Sequence, residues 1–208
     1  MEIVQADDPR SALKAAEVLR SGGVILYPTD TLYALGADAL SDDSVAKIYA
    51  IKGRDAQKPM HAIVADMDAA TQYAEMNDAA QKLADAFLPG PLTLVFKKKP
   101  DIDSRFMCGL STIGLRVPNN QFCLALAREF GRPFTATSAN RSGQLPQRTI
   151  SEVVVQLGDA ANLVDLAIDV GELPERLPST VVDVSTDVPS IIREGAISRA
   201  AIDAASGL

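Results

Sequence analysis

The sequence predicts a single α/β domain, a mixed α+β arrangement in which helices flank a twisted sheet of parallel and antiparallel strands. Three observations predict it. A short uninterrupted apolar run at 24–27 suits a strand buried on both faces, and 92–96 reads as another strand after a Pro-Gly-Pro break. Strands of this kind alternate with amphipathic helical stretches, the pattern of a layered α/β fold. The strands toward the end follow one another closely, which makes the sheet mixed rather than purely parallel. One domain spanning 1–208 is long enough to bury a full core without disulfide or metal staples.

Taken in order, Asp8 and Pro9 open the first helix, a capping carboxylate followed by proline at the first helical position. Leu13, Ala16, Val18 and Leu19 form its apolar side, and Gly22-Gly23 stops it. Strand 24–27 is broken by Pro28-Thr29-Asp30-Thr31, and 32–37 reads as a second strand. Ser41 caps a helix that buries Val45, Ile48, Tyr49 and Ile51. A strand over 60–65 precedes two helices, 68–75 and 78–87. Pro89-Gly90-Pro91 is a hard break before strand 92–96. Residues 100–111 lack periodicity and read as a mobile loop. Strand 113–117, a helix over 121–130 ended by Gly131, and strand 134–137 then alternate. Thr149-Ile150-Ser151-Glu152 is a capping box for another helix. Strands near 163–168, 180–184 and 190–193 follow, and a terminal helix begins at Arg199.

Twenty Lys and Arg against 27 Asp and Glu leave a net charge of −7. A chain this acidic does not hold nucleic acid through its overall charge, although a local basic pocket remains compatible. Cys108 and Cys123 form no CxxC pair and cannot make a four-cysteine zinc site. The first residues lack the basic and apolar regions of a signal peptide, and no apolar run approaches the ~18 residues of a membrane span. The expectation is a cytoplasmic protein without a membrane partner.

Polar and cationic residues cluster where strands end, the usual ligand position in α/β folds. Thr29-Asp30-Thr31 reads either as two hydroxyls and a carboxylate at a sheet edge or as an ordinary turn. Lys52-Gly53-Arg54, with Lys58-Pro59 beyond, reads as a phosphate or carboxylate clamp. The helix macrodipole alone also favours cations there, and explains Lys52 better than Arg54 or Lys58. The run 135–143 supplies small hydroxyls, Asn140 and a Gly break, which suits either hydrogen bonds to a nucleotide or a capped turn. Arg116 lies inside a strand, where an unpaired guanidinium is costly, so it needs a carboxylate or phosphate partner or an edge position. Ser179 and Arg193 lie at late strand ends.

Several chemistries are absent. There is no GxxxxGK[ST] or GxGxxG loop. Ser138 has no GxSxG context. His61, the one histidine, reads as a strand surface residue, because one imidazole makes no metal site alone. Cys123 shares a helix face with Ala127 and Phe130 and reads as core. Lys97-Lys98-Lys99 serves solubility in the plainer reading and RNA contact in the other.

Seven segments occur in an order that resembles the YrdC family: 27–33 (YPTDTLY), Lys52-Gly-Arg54, Lys58-Pro59, 88–93 (LPGPLT), 113–117 (IGLRV), Ser138-Ala-Asn140 and 178–183 (PSTVVD). The resemblance covers about residues 8–198. It implies a threonylcarbamoyl-AMP synthase, a nucleotidyltransferase that joins L-threonine, bicarbonate or CO2, and ATP into threonylcarbamoyl-adenylate and pyrophosphate. A separate transferase complex would then pass the group to a tRNA adenosine. Mg²⁺ would accompany ATP, with no metal held by protein ligands. By the same resemblance Lys52, Arg54, Ser138 and Asn140 form a central tetrad at the phosphates, while Lys58, Thr112 and Arg193 join them in holding ATP. Thr31, Arg116 and Ser179 match positions that hold threonine.

Ala34 stands where most members have Gly, a feature shared with the YciO branch, which lacks the Lys-x-Arg and Ser-x-Asn pairs. A left-handed backbone there would strain Ala34 by about 1 kcal/mol. Some members place a histidine near the threonine pocket where this chain has Ile63. Longer members carry a further C-terminal domain, for which this chain is too short. Two other readings are a non-catalytic protein binding double-stranded RNA or tRNA, and a sibling that adenylates a carbamoyl group for a different acceptor.

Overall fold

A computed structural model describes residues 1–207. The strands are β1 (Glu2–Gln5), β2 (Ile25–Pro28), β3 (Tyr33–Gly36), β4 (His61–Ile63), β5 (Leu92–Lys97), β6 (Thr112–Arg116), β7 (Phe134–Ser138), β8 (Leu166–Asp169), β9 (Thr180–Asp183) and β10 (Ser190–Arg193). They join in one sheet of order β1-β8-β2-β3-β7-β4-β6-β5-β9-β10. Pairing is parallel for β1–β8, β8–β2, β4–β6 and β5–β9 and antiparallel at the remaining junctions, as the mixed-sheet reading requires.

The helices are α1 (Ser11–Arg20), α2 (Asp42–Lys52), α3 (Met67–Ala70), α4 (Asp78–Phe87), α5 (Gln121–Phe130), α6 (Ile150–Leu157) and α7 (Arg199–Ser206). Their starts follow local chemistry. Ser41, Asn77, Asn120 and Ser198 each accept a backbone N–H of the first turn, and Thr149 with Glu152 completes the capping box. Gly53 and Gly131 end α2 and α5 in the left-handed conformation that glycine takes without strain.

The two faces of the sheet are covered unequally. Helices α2, α4, α6 and α7 bury their apolar sides on one face against Leu35, Ala62, Leu94 and Leu115. On the other face α1 and α5 pack over one part of the sheet, against residues that include Ile25, Tyr27, Ile63, Phe134, Leu166 and Ile168. The rest of that face, toward β10, carries no helix and becomes the floor of a cavity.

Four expectations change. The first helix begins at Ser11, not at Pro9, because the Asp8 carboxylate accepts the Arg10 N–H in a tight turn instead of capping. The helix expected over 68–75 is one turn, Met67–Ala70, after which Ala74 bridges to Lys98 and Glu75 N–H donates to Lys97. Residues 100–111 form an anchored segment. Its 3-10 turn, Arg105–Met107, buries Phe106 and Met107, and Met60 N–H donates to the Phe106 carbonyl. Strand β1 was not expected; it adds to β8 at the sheet edge with Val4 as its one buried residue.

Candidate functional site

The cavity has a volume of about 920 Å³, near the upper end of the ~300–1,000 Å³ usual for small-molecule sites. Its floor is the open sheet face, kept low by Ala34, Gly114 and Ala136. Ala34 is an ordinary strand residue; among the described residues the only non-glycine with positive φ is Cys108, so the strain considered for Ala34 is absent. Five arginines line the space (Arg54, Arg116, Arg148, Arg176 and Arg193) against the carboxylates Glu175 and Asp183. An acidic protein therefore encloses a cationic site, the arrangement that attracts small anions.

At one end lies Arg116. Its Nη2 donates to Asp30 Oδ1 at 2.6 Å, Nη1 to Thr31 Oγ1 at 3.3 Å and Nε to the Gly90 carbonyl at 3.1 Å. Both charged side chains are almost fully buried, 4% and 7% exposed, so loss of one partner would strand a charge at a cost of about 3–5 kcal/mol. Asp30 is thus more than a turn residue: its second oxygen also accepts the Asn119 N–H. A guanidinium has about five N–H donors. Those not used by Asp30, Thr31 and Gly90 leave Arg116, which lines the cavity, able to hold a ligand carboxylate. Thr31 is set by Thr29, whose Oγ1 accepts the N–H groups of Thr31 and Leu32.

Ser179 also faces this space. Its hydroxyl lies 3.0 Å from that of Thr93 and 3.3 Å from Arg193 Nη2, which donates to the Ser179 carbonyl at 2.8 Å. The turn after β10 comes so close that a Cβ at Gly195 would sit 2.2 Å from the Pro178 carbonyl oxygen. Burial first, then Arg116, draws the Arg193 pKa below its usual value.

At the other end are Arg54, Ser138 and Asn140. Arg54 reaches along its own loop, donating to the carbonyls of Lys58 and Pro59 at 3.3 and 3.0 Å. Ser138 Oγ donates to Asn140 Oδ1 at 2.7 Å. Lys52 lies beneath this turn and does not line the cavity: it is 2% exposed and donates to the carbonyl oxygens of Ser138 and Asn140 and to Asn140 Oδ1. The macrodipole account of Lys52 is therefore insufficient, since its ammonium ties the end of α2 to the end of β7. Burial and then Arg54 lower its pKa to about 7.

Of the residues singled out from sequence, Thr31, Arg54, Thr112, Arg116, Ser138, Asn140, Ser179 and Arg193 all line this cavity. Lys58 does not; its side chain is exposed. Ile63 is fully buried under α5. His61 is not a surface residue but part of the floor. Cys123 is core, as expected, with its thiol pKa raised by burial. In the basic run, Lys97 pairs with Glu75 at 2.9 Å and Lys98 donates to the Ile102 carbonyl, so two of the three ammonium groups are engaged.

Sequence reasoning missed the segment 171–177 at the cavity mouth. Tyr33 Oη donates to the Gly171 carbonyl at 2.8 Å, Arg176 Nη1 to the Asp30 carbonyl at 2.7 Å, and Arg148 pairs with Glu172 at 2.9 Å. Only Arg176, the one cation in a stretch with Glu172 and Glu175, could have signalled it.

Among the described residues, no three His, Cys, Asp or Glu side chains gather as a metal site. The cavity is lined by two carboxylates, Glu175 and Asp183, the donor type that Mg²⁺ takes alongside phosphates.

A cationic cavity on the half-covered face of a mixed sheet defines a site for small anionic ligands. The chain belongs to the Sua5/YciO/YrdC family, whose model, described as telomere recombination, matches residues 17–195. It is 38% identical over 177 residues to a putative threonylcarbamoyl-AMP synthase of Methanocaldococcus jannaschii, covering 85% of this chain and 82% of that one. A crystal structure of Pyrococcus abyssi Sua5 complexed with L-threonine superposes with a TM-score of 0.90 at 31% identity, over 99% of this chain and 61% of the Pyrococcus chain. Escherichia coli YciO superposes with a TM-score of 0.83 at 30% identity, over 95% of this chain and 96% of its own. No helix among the described residues is long and apolar enough to cross a membrane.

Proposed function

We propose that this protein is a threonylcarbamoyl-AMP synthase that makes threonylcarbamoyl-adenylate and pyrophosphate from L-threonine, bicarbonate or CO2, and ATP. The observation that carries the reading is one cavity with two differently built ends. One end presents Arg116, Thr31 and Ser179, and the other Arg54, Ser138 and Asn140. The named relatives and the threonine-bound neighbour support it.

In this reading Arg116 pairs with the threonine carboxylate while Thr31 and Ser179 contact the rest of the amino acid. The threonine nitrogen bonds to the carbon of CO2 and loses a proton to water, giving a carbamate. A carbamate oxygen then attacks the α-phosphorus of ATP, and the bond to pyrophosphate breaks. No protein nucleophile is needed. Arg54, Ser138, Asn140, Thr112 and Arg193 stabilise the charge on the transferring group, and Lys52 holds the Ser138–Asn140 turn in place. Mg²⁺ bound with ATP would offset charge on the outer phosphates. The exposed Lys58 would have to swing inward to reach ATP. The product would pass to a separate transferase that acts on tRNA.

Purified protein mixed with ATP, Mg²⁺, L-threonine and labelled bicarbonate should release pyrophosphate and form a labelled adenylate only when threonine and bicarbonate are both present. Arg54→Ala should abolish that product without changing the circular dichroism spectrum. Wild-type turnover in the variant would refute the site, and adenylate formation with another acceptor would favour the carbamoyl-adenylating sibling.

A further inference from the structure

The cavity floor holds an imidazole that none of these roles uses. In the sheet, His61 of β4 lies beside Gly114 of parallel β6 and beside Ala136 of antiparallel β7. Arg116 is two residues onward along β6, level with Ile63. Ser138 is two residues onward along β7, which the antiparallel register makes the opposite direction. Residues two apart share a face. His61 therefore stands midway between the two ends of the site, about 7 Å of strand from the level of each.

Its neighbours leave it prominent. Gly114 has no side chain and Ala136 only a methyl, and a Cβ at Gly114 would lie 3.1 Å from the His61 Cβ. Its ring nitrogens are open to the cavity rather than sealed in the core. The charged groups that act on it are Arg116 on β6, Arg193 on β10 and Arg54 after α2, while β7 contributes none. Burial and these three cations lower its pKa to about 3. A neutral imidazole offers one N–H donor and one acceptor nitrogen. Arginines can only donate, so at the middle of the site the imidazole supplies an acceptor that they do not. The substrate nitrogen, which carries N–H groups and lies between its carboxylate and the phosphates, needs such an acceptor.

We propose that His61 contacts the substrate, its acceptor nitrogen taking a hydrogen bond from the amino nitrogen midway between Arg116 and Ser138 and aiming that nitrogen toward the nucleotide. The inference rests on the threonylcarbamoyl-adenylate reading.

His61 is the one histidine of the chain, so selective ¹⁵N-histidine labelling reports it alone. With α,β-methylene-ATP and bicarbonate present, L-threonine should shift the acceptor-nitrogen resonance. His61→Ile should lower kcat about tenfold, the upper range for one neutral hydrogen bond, with KM for ATP unchanged. His61→Gln, which keeps an acceptor, should recover part of that loss. Calorimetric binding of threonine with unmoved ring resonances, or wild-type kcat in His61→Ile, would overturn the role of His61 alone. Absence of both threonine and ATP binding would overturn the proposed function, and this inference with it.

Discussion

Lys52 shows how one side chain can matter to a site it does not face. Its ammonium serves three oxygens of the Ser138–Asn140 turn, so Lys52→Met should cost about 3 kcal/mol by leaving buried acceptors short of a donor. The pH dependence has a definite sign. The native pKa is about 7 against an ordinary 10.5, so between those values the unfolded chain keeps a proton that the native state has released. Stability should therefore rise as pH climbs from 7 to 10.5, and the rise should flatten in Lys52→Met. Urea midpoints at pH 7, 8.5 and 10 check it. The family resemblance grouped Lys52 with Asn140 at the phosphates, but did not indicate that one lies beneath the other. The sequence itself called for a partner to Arg116 without pointing to Asp30, 86 positions away. Such pairings come from the order of strands, which local spacing does not encode.

Elements with a strong local signal were legible to within a residue or two. Helix α5 and strand β10 match their expected bounds, since an Asn cap with a Gly stop, and an apolar pair flanked by polar ends, are complete in themselves. The segment 100–111 was opaque for the opposite reason. Ser104 donates to the Ala39 carbonyl, Arg105 N–H to Asp42, and Phe106 enters the core, so successive residues answer to different partners and no period arises. Phe106→Ala should cost about 3–5 kcal/mol through the cavity left behind. Limited proteolysis should then cut within 100–111 in the variant and spare the wild type under the same conditions. Strand β1 was hidden because an edge strand with one buried side chain has no alternation to display.

Across the whole molecule, a net charge of −7 surrounds a cavity lined by five arginines and two carboxylates. KM for ATP should rise several-fold as salt is raised from about 0.05 to 0.5 M, because screening weakens the attraction of a polyanion to this cavity. Steady-state kinetics at fixed Mg²⁺ checks it. Double-stranded RNA at equal salt should not compete, since the net charge is −7 and Lys97 and Lys98 of the basic run are already engaged. The composition foretold the acid exterior and its compatibility with a basic pocket; the uneven cover of the sheet, which creates that pocket, became visible only with all the strands in order. That sheet also limits how the site can change. Because side chains alternate, inserting one residue in β4 would turn His61 away from the floor and bring Ala62 onto it. Gradual lengthening is closed to this pocket. Descendants that accept a longer substrate would have to arise by two-residue steps in the strands or by remodelling the mouth.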